Sequence, residues 1–261
     1  MDIAPGRSGR GITLKSFAAG LFVLLVPSAA WAADTQVAVA ANFTEPAKAI
    51  AAAFTRATGH HALLSFGSSG AFYAQMTHGA PFELFLSADA DRPIQAERAG
   101  IAVPGSRFTY AIGRLVLFST RPGVVDPRGE VLRRGGFGRI AIADPATAPY
   151  GLAAVQTMNR LGVAAALRPR IVQGSSITQA YQFVATGAAD LGFVALSQVV
   201  AVPGGSRWLV PASLHAPIDQ QAVLLKTGAG NPAARSFLAF LRGPEATAII
   251  RRFGYEVPRG R

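Results

Sequence analysis

The sequence predicts an α/β protein built from mainly parallel sheets covered by helices. Short apolar runs with the composition of strands alternate along the chain with segments of helical periodicity, a pattern typical of parallel strands joined by helices. Half of the 261 residues are hydrophobic and only 15% are charged, so the chain can bury a sizeable core. Cysteine is absent, which excludes disulfides, a thiol nucleophile and a cysteine-ligated metal.

Eight short apolar runs, bounded by turn-forming residues, are the predicted strands. They are residues 35–42, 61–66, 82–88, 114–120, 139–144, 169–176, 191–196 and 220–226. Of the helices between them, the segment from Pro46 to Gly59 shows the pattern well. Its apolar residues recur at helical spacing, the proline suits a first turn and the glycine follows the last turn.

Residues 1–32 have the pattern of a secretory signal peptide. Three basic residues precede the apolar run 17–26, and Ala30 and Ala32 stand as an A-x-A cleavage site. The alternative, an uncleaved membrane anchor, is disfavoured because the apolar run is too short to span a bilayer comfortably. We therefore expect a mature chain that begins near Ala33 and is exported.

The basic charge of the chain is spread out. Residues 1–32 hold three basic residues and one acidic residue, so their removal lowers the formal net charge from +11 to +9. The remaining arginines are scattered, and no basic stripe interleaved with aromatic residues is present in the sequence. This distribution argues against a nucleic-acid partner and is compatible with a solvated surface or with steering of an anion.

Small neutral residues follow several of the predicted strands, where α/β folds bind their ligands. They include Asn42, the pair Ser68-Ser69 between two glycines, and the pair Ser175-Ser176. A helical segment begins after each of the three, and the first N–H groups of a helix are unpaired donors at the positive end of its dipole. Three helix N-termini could converge on one anion. The alternative is that these side chains are ordinary N-caps.

A serine hydrolase is a competing interpretation of the same segment. Ser69, Asp190 and His215 occur in the chain order of α/β-hydrolases, and Gly67 precedes the serine at the required distance. The nucleophile elbow, however, needs a second glycine where this chain has Ala71. We therefore expect no catalytic site.

A cation site is not expected either. Asp89 and Asp91 follow a predicted strand, but without a further acidic cluster they suit a turn and a helix cap better than a metal. The four histidines lack ligand spacing, and the sequence has no GxxxxGK[ST] phosphate loop. We expect neither a metal ion nor a cofactor.

Seven segments together give the chain a family resemblance. They are AVAANF, GSSGAFYAQ, GAPFELFLSAD, PGSRFTYAIGRLVLFS, IAIADPATAPYGLAA, GAADLGFVAL and GPEATAIIRRFGY. In order and spacing they resemble the periplasmic molybdate-binding proteins of ABC transporters, over essentially the whole mature chain. The resemblance implies a monomeric binding protein, not an enzyme, with a two-lobed (type II) fold. Such a protein holds one tetrahedral oxyanion, molybdate or tungstate, in the cleft between its lobes and delivers it to a membrane permease.

The resemblance also implies how the chain is divided. Lobe one would combine residues 34–112 with residues 218–261, and lobe two would be residues 113–217. The chain would cross between them near residues 107–113 and 216–221. Each lobe would hold a mainly parallel sheet flanked by helices, and ligand binding would close the lobes.

The site that the resemblance implies consists of donors from both lobes. Its residues are Asn42, Ser69, Tyr150 and Ile177, the last through its backbone N–H, with Ser68 and Ala41 as second-tier contacts. Two positions depart from relatives. The residue before the asparagine is often threonine where this chain has Ala41, and some members carry a tyrosine at the position of Ala195.

The expected ligand explains the neutral character of these residues. Molybdate is fully deprotonated at neutral pH, so its four oxygens only accept hydrogen bonds. A selective site therefore needs donors and no carboxylate, whereas phosphate, which keeps a proton, could use an acceptor. Sulfate would have to be rejected by cavity size, and tungstate is nearly as large as molybdate. A sulfate- or tungstate-selective binder is thus the alternative within this class.

Overall fold

A computed structural model describes residues 32–258 together with Met1, Asp2, Ala4, Gly6 and Gly9. The predicted signal peptide, residues 1–32, therefore lies almost wholly outside the described residues, and it stays a prediction. Within the described part of the chain, none of the helices is long and apolar enough to cross a bilayer.

Within residues 32–258, ten strands form two sheets of five. The strands are β1 (Asp34–Ala40), β2 (His61–Gly67), β3 (Leu84–Leu86), β4 (Phe108–Gly113), β5 (Leu115–Ser119), β6 (Ile140–Ala143), β7 (Ile171–Gly174), β8 (Leu191–Ala195), β9 (Ser206–Leu209) and β10 (Ile218–Leu224). The strand order is β2-β1-β3-β10-β4 in the first sheet and β7-β6-β8-β5-β9 in the second.

Each sheet is mainly parallel, as predicted. In the first sheet β10 pairs antiparallel with both neighbours, so it alone runs against the other four strands. In the second sheet β5 has the same position and direction. The chain passes from one sheet to the other between β4 and β5 and returns between β9 and β10, which gives a two-lobed molecule with one sheet in each lobe.

Helices cover the two sheets. They are α1 (Thr44–Thr58), α2 (Ser69–Thr77), α3 (Asp91–Arg98), α4 (Val131–Arg134), α5 (Pro149–Arg160), α6 (Ala164–Leu167), α7 (Ile177–Ala185), α8 (Leu196–Val199), α9 (Pro232–Arg242) and α10 (Pro244–Arg252). Short 3-10 helices cover residues Ala41–Phe43, Arg168–Arg170, Ala212–Leu214 and Lys226–Gly228.

Most of these strands, and the helix α1, agree with the elements predicted from the sequence. Each of the eight predicted runs overlaps a strand, whereas β4 and β9 were not predicted. Both lie at the edge of their sheet. The predicted helix from Pro46 to Gly59 is confirmed as α1. Its C-cap, Gly59, has φ +75° and donates its N–H to the carbonyl of Thr55 at 2.9 Å.

Each sheet has its own apolar core. In the first lobe α1 and α9 pack against the sheet, with the rings of Phe54 and Phe237 edge to face at 5.1 Å. In the second lobe Leu117, Phe193 and Val184 are completely buried between the sheet and α7. These cores hold the ends of β1 and β2 on one side of the cleft, and the N-termini of α5 and α7 on the other.

Candidate functional site

A small cavity lies where these strand ends and helix N-termini meet. It has about 200 Å³ of space between atoms, its opening to solvent included. The residues that line it are Ala40, Ala41, Asn42, Gly67, Ser68, Ser69, Ala88, Ala148, Pro149, Tyr150 and Ile177. None of these described lining residues carries a charged side chain. The structure thus brings all six residues predicted for the site to one cavity, although their role toward a ligand stays a prediction.

Ser69 is held so that its hydroxyl can donate into the cavity. It is the first residue of α2, and only 1% of its surface is exposed. Its Oγ accepts a hydrogen bond from the N–H of Ala88 at 2.9 Å. Within residues 32–258 the hydroxyl has no acceptor of its own, so its proton is available to a ligand.

The N-cap interpretation holds for only one of the three helix starts. Ser176 caps α7, since its Oγ accepts from the N–H of Gln179 at 3.3 Å. Ser68 occupies the N-cap position of α2, but its side chain makes no capping bond within the described residues. Asn42 does not cap α1 either; it lies inside the 3-10 helix before it.

Tyr150 reaches the cavity from the second lobe near the start of α5. Its side chain is 1% exposed, and its hydroxyl oxygen accepts from Gln220 Nε2 at 3.2 Å. Gly113 makes this position possible, because a Cβ there would lie 2.2 Å from the hydroxyl oxygen. Burial, with the neighbouring Tyr255 and Tyr110, raises the pKa of Tyr150 well above 10, so the hydroxyl stays protonated.

Ile177 presents a backbone donor. It is the first residue of α7 and is 3% exposed, and its N–H forms no hydrogen bond within residues 32–258. Because the N-terminus of a helix concentrates unpaired N–H groups and partial positive charge, this end of α7 suits an anion.

Asn42 lines the cavity, but its side-chain amide is already bonded to protein groups. Its Nδ2 donates to Gln220 Oε1 and to the hydroxyl of Tyr255, both at 2.9 Å. The donor that Asn42 can offer a ligand is therefore its backbone N–H, like that of Ala41 before it.

Sequence reasoning missed the buried polar residues below the cavity: Gln220, Tyr110 and Tyr255. All three are at most 5% exposed. Burial raises the pKa of Tyr255 to about 12 and that of Tyr110 well above 10, so both are protonated. The sequence signal that could have found them is the polar Gln220-Gln221 pair at the start of an apolar strand.

The two lobes are in contact around the cavity. Gly70 at the start of α2 donates its N–H to the carbonyl of Thr147 in the second lobe at 2.9 Å. From the second lobe, Thr178 donates to the carbonyl of Ala41 at 3.2 Å. The cavity is thus lined by residues of both lobes.

The alternative of a serine hydrolase was wrong. Within the described residues no hydrogen bond joins Ser69, His215 and Asp190. The carboxylate of Asp190 accepts from the N–H groups of Gly138 and Arg139 at 2.8 and 3.0 Å, and His215 Nδ1 faces the carbonyl of the next residue. A Ser-His-Asp relay needs direct contacts that this arrangement does not provide.

Of the two acidic residues after β3, Asp89 binds the first turn of α3, although the N-cap residue itself is Ala90. Asp89 accepts from the N–H of Arg92 at 2.9 Å and pairs with its guanidinium at 2.8 Å. Across residues 32–258, no group of three or more His, Asp or Glu side chains is placed to hold a metal ion.

Comparison with known proteins agrees with this architecture. Residues 35–256 match the family model of bacterial extracellular solute-binding proteins. The chain is 55% identical to the molybdate-binding protein ModA of Rhodobacter capsulatus over 246 residues, which cover 93% of this chain and 96% of the relative. It is 53% identical to the ModA of Azotobacter vinelandii over 234 residues, covering 88% and 93% of the two chains.

A solved structure supports the same grouping. The periplasmic molybdate-binding protein of Azotobacter vinelandii superposes with a TM-score of 0.84 at 46% identity, covering 86% of this chain and all of that one. The two-lobed type II binding-protein fold expected from the sequence is therefore confirmed. The chain belongs to the family of bacterial extracellular solute-binding proteins.

Proposed function

We propose that the protein binds molybdate in the periplasm and delivers it to the membrane permease of an ABC transporter. Relatives more than half identical to this chain along nearly its whole length are named as molybdate-binding proteins. A binding protein of this kind performs no covalent chemistry. Its task is to hold the anion and to close around it, so that the permease meets the loaded form.

The observation that carries this proposal is the uncharged, donor-rich lining of the cavity. The hydroxyl of Ser69 and the N–H of Ile177 each have a hydrogen that no protein group in residues 32–258 accepts, and the protonated hydroxyl of Tyr150 has the neighbouring Tyr255 as its alternative to a ligand. An anion whose oxygens only accept hydrogen bonds satisfies all of them. A carboxylate in the same place would repel it, and a buried unpaired cation would be costly without a ligand.

The proposed ligand contacts come from both lobes. Ser69 would donate through its hydroxyl and backbone, Asn42 through its backbone, Tyr150 through its hydroxyl and Ile177 through its backbone. Ser68 and Ala41 would add second-tier contacts. Because this chain has Ala41 where many family members have threonine, residue 41 can donate only through its backbone N–H.

The lobe boundaries are part of the proposal. Lobe one would be residues 34–112 with 218–261, and lobe two residues 113–217. Support comes from the sheets, since β1–β4 and β10 share one and β5–β9 share the other. Because every proposed contact comes from one chain, a monomer suffices for binding.

Two further details follow from the same reasoning. Tungstate is proposed as a second ligand, because it has the charge and nearly the size of molybdate. The hydrogen-bond donors of the cavity therefore do not discriminate between the two anions. Export would use residues 1–32 as a cleaved signal peptide, with the mature chain starting near Ala33.

Calorimetric titration of the mature, ligand-stripped protein with molybdate, tungstate, sulfate and phosphate tests the proposal. We expect one-to-one binding of molybdate and tungstate, weaker binding of sulfate, and no response to phosphate. Absence of molybdate binding would contradict the proposed function. Strong phosphate binding would contradict the argument from neutral donors.

A further inference from the structure

A buried glutamine below the cavity joins the two lobes. Gln220 on β10 has no exposed surface. Its Oε1 accepts from Asn42 Nδ2 at 2.9 Å and from the hydroxyl of Tyr110 at 3.0 Å, and its Nε2 donates to the hydroxyl of Tyr150 at 3.2 Å. Gln220 is not among the residues that line the cavity. Any influence that it has on a ligand must therefore pass through its neighbours.

A register shift between β4 and β10 places this glutamine. Gln220 pairs with Ala111 and Gln221 pairs with Thr109, so Tyr110 has no partner strand residue opposite it. An extra residue of this kind bends a strand locally and redirects the side chains around it. Here it brings the hydroxyl of Tyr110 to the amide oxygen of Gln220.

The direction of the hydrogen bonds around Gln220 is set by a carbonyl group. The backbone carbonyl of Asn42 can only accept, and the hydroxyls of Tyr255 and Ser197 both lie 2.8 Å from it and 2.9 Å from each other. If the single proton of Tyr255 pointed to the Asn42 side chain, its short contacts with the Asn42 carbonyl and with Ser197 would have only the proton of Ser197 between them. The proton of Tyr255 is therefore assigned to the carbonyl or to Ser197. The contact of Tyr255 with the Asn42 side chain must then be one in which Tyr255 accepts, so the Asn42 amide presents its NH2 group there.

The same reasoning sets the direction of the hydrogen bond between Gln220 and Tyr150. The NH2 group of Asn42 also contacts Gln220, which must present its amide oxygen and therefore turns its own NH2 group to Tyr150. Tyr110 can donate its single proton to Gln220 Oε1 or to the carbonyl of Ser87. The oxygen of Tyr150 accepts from Gln220, so its own proton points away from Gln220, to the cavity or to the neighbouring Tyr255.

We propose that Gln220 is a positioning residue that holds the hydroxyl of Tyr150 as a donor toward the bound anion. This rests on the proposed function, which makes Tyr150 a ligand contact. The arrangement has a consequence for selectivity. A lone pair of the Tyr150 oxygen is occupied by Gln220, so the hydroxyl is poorly placed to accept a proton from a monoprotonated anion, whereas it can donate to a fully deprotonated one.

A double-mutant cycle tests this assignment. Molybdate affinity would be measured by calorimetry for the wild type, Gln220→Met, Tyr150→Phe and the double variant. Each single change is expected to raise the Kd about tenfold or more, as for the loss of a buried hydrogen bond. The double variant is expected to bind within about threefold of Tyr150→Phe alone, because the hydroxyl that Gln220 orients is already gone.

A second variant and a matched control complete the cycle. If Gln220→Met does not fold, Gln220→Glu under mildly alkaline conditions replaces it, since its carboxylate would draw the proton of Tyr150 away from the cavity. The control is Gln221→Met, which removes bonds to Arg107 and Thr109 outside the cavity and should leave the Kd unchanged.

The outcomes separate this assignment from the proposed function. The role of Gln220 would be overturned if the fold-changes in Kd of the two single variants multiplied in the double variant. It would also be overturned by a folded Gln220→Met that binds molybdate like the wild type. In both cases wild-type binding would leave the proposed function intact. A wild type that does not bind molybdate would contradict the proposed function and this assignment with it.

Discussion

At the residue scale, the hydroxyl of Ser69 is the donor whose contribution is simplest to isolate. It is buried and accepts from Ala88, and its proton faces the cavity with no protein acceptor within residues 32–258. Ser69→Ala should therefore weaken molybdate binding by about 1–3 kcal/mol, the usual cost of losing a buried hydrogen bond. Calorimetry measures the effect, with the exposed Ser213→Ala as the matched control. Unchanged affinity in Ser69→Ala would remove this residue from the site.

The raised pKa of Tyr150 leads to a prediction about pH. A phenol donates only while it is protonated, which is the case below its pKa, and burial raises that pKa well above 10. Molybdate affinity should therefore stay constant between about pH 7 and 9, a range below even an ordinary tyrosine pKa. Titrations across this range check it. A wild-type affinity that falls in this range, but not in Tyr150→Phe, would show that the hydroxyl ionises there.

The residues below the cavity could not be predicted from the sequence, unlike several of those that line it. Ser69 was predicted from the chain pattern because it stands where a strand ends and a helix begins, whereas Ile177 was predicted only from the family resemblance. Gln220 could not be predicted, because its role depends on a register shift in β4 and on partners from three distant parts of the chain. The Gln220-Gln221 pair marks a polar position in an apolar strand, but it gives no sign of the hydroxyls that surround Gln220.

At the element scale, the start of helix α2 packs tightly against the second lobe. A Cβ on Gly70 would lie 2.9 Å from the Cα of Thr147, closer than real Cβ contacts allow. Gly70→Ala should keep lobe one folded, since alanine is the better helix former, while it forces the lobes apart. We expect molybdate Kd to rise about tenfold, equivalent to about 1.4 kcal/mol.

The control for this prediction is Gly230→Ala, where a Cβ meets nothing within 4 Å. Thermal unfolding without ligand should be nearly the same for both variants, and only Gly70→Ala should lose affinity. Full affinity in a folded Gly70→Ala would show that the lobes need not approach this closely at α2.

The strands show which elements the sequence makes predictable. The eight predicted runs are apolar because most of them are buried in the sheets. The edge strands β4 and β9 were missed, and β4 joins β5 through the single residue Arg114. The reversed direction of β5 and β10 could not be predicted from composition, because it depends on where the chain crosses between the lobes.

At the scale of the whole molecule, the cavity exists only because two lobes meet. Ser68 and Ser69 come from one side and Tyr150 and Ile177 from the other, so an anion bound to all four favours the closed arrangement. The side chain of Ser197 donates to the carbonyl of Asn42 across the same junction at 2.8 Å. Ligand and protein contacts therefore act in the same direction, toward closure.

The most direct test is a crystal structure of the mature protein with molybdate, in which the molybdenum is located by its anomalous scattering. We expect one site in the cavity, with oxygens within hydrogen-bond distance of the Ser69 and Tyr150 hydroxyls and the Ile177 N–H. Molybdenum located elsewhere, or in the cavity without contacts to Tyr150 and Ile177, would contradict the claim that neutral donors from both lobes hold the anion.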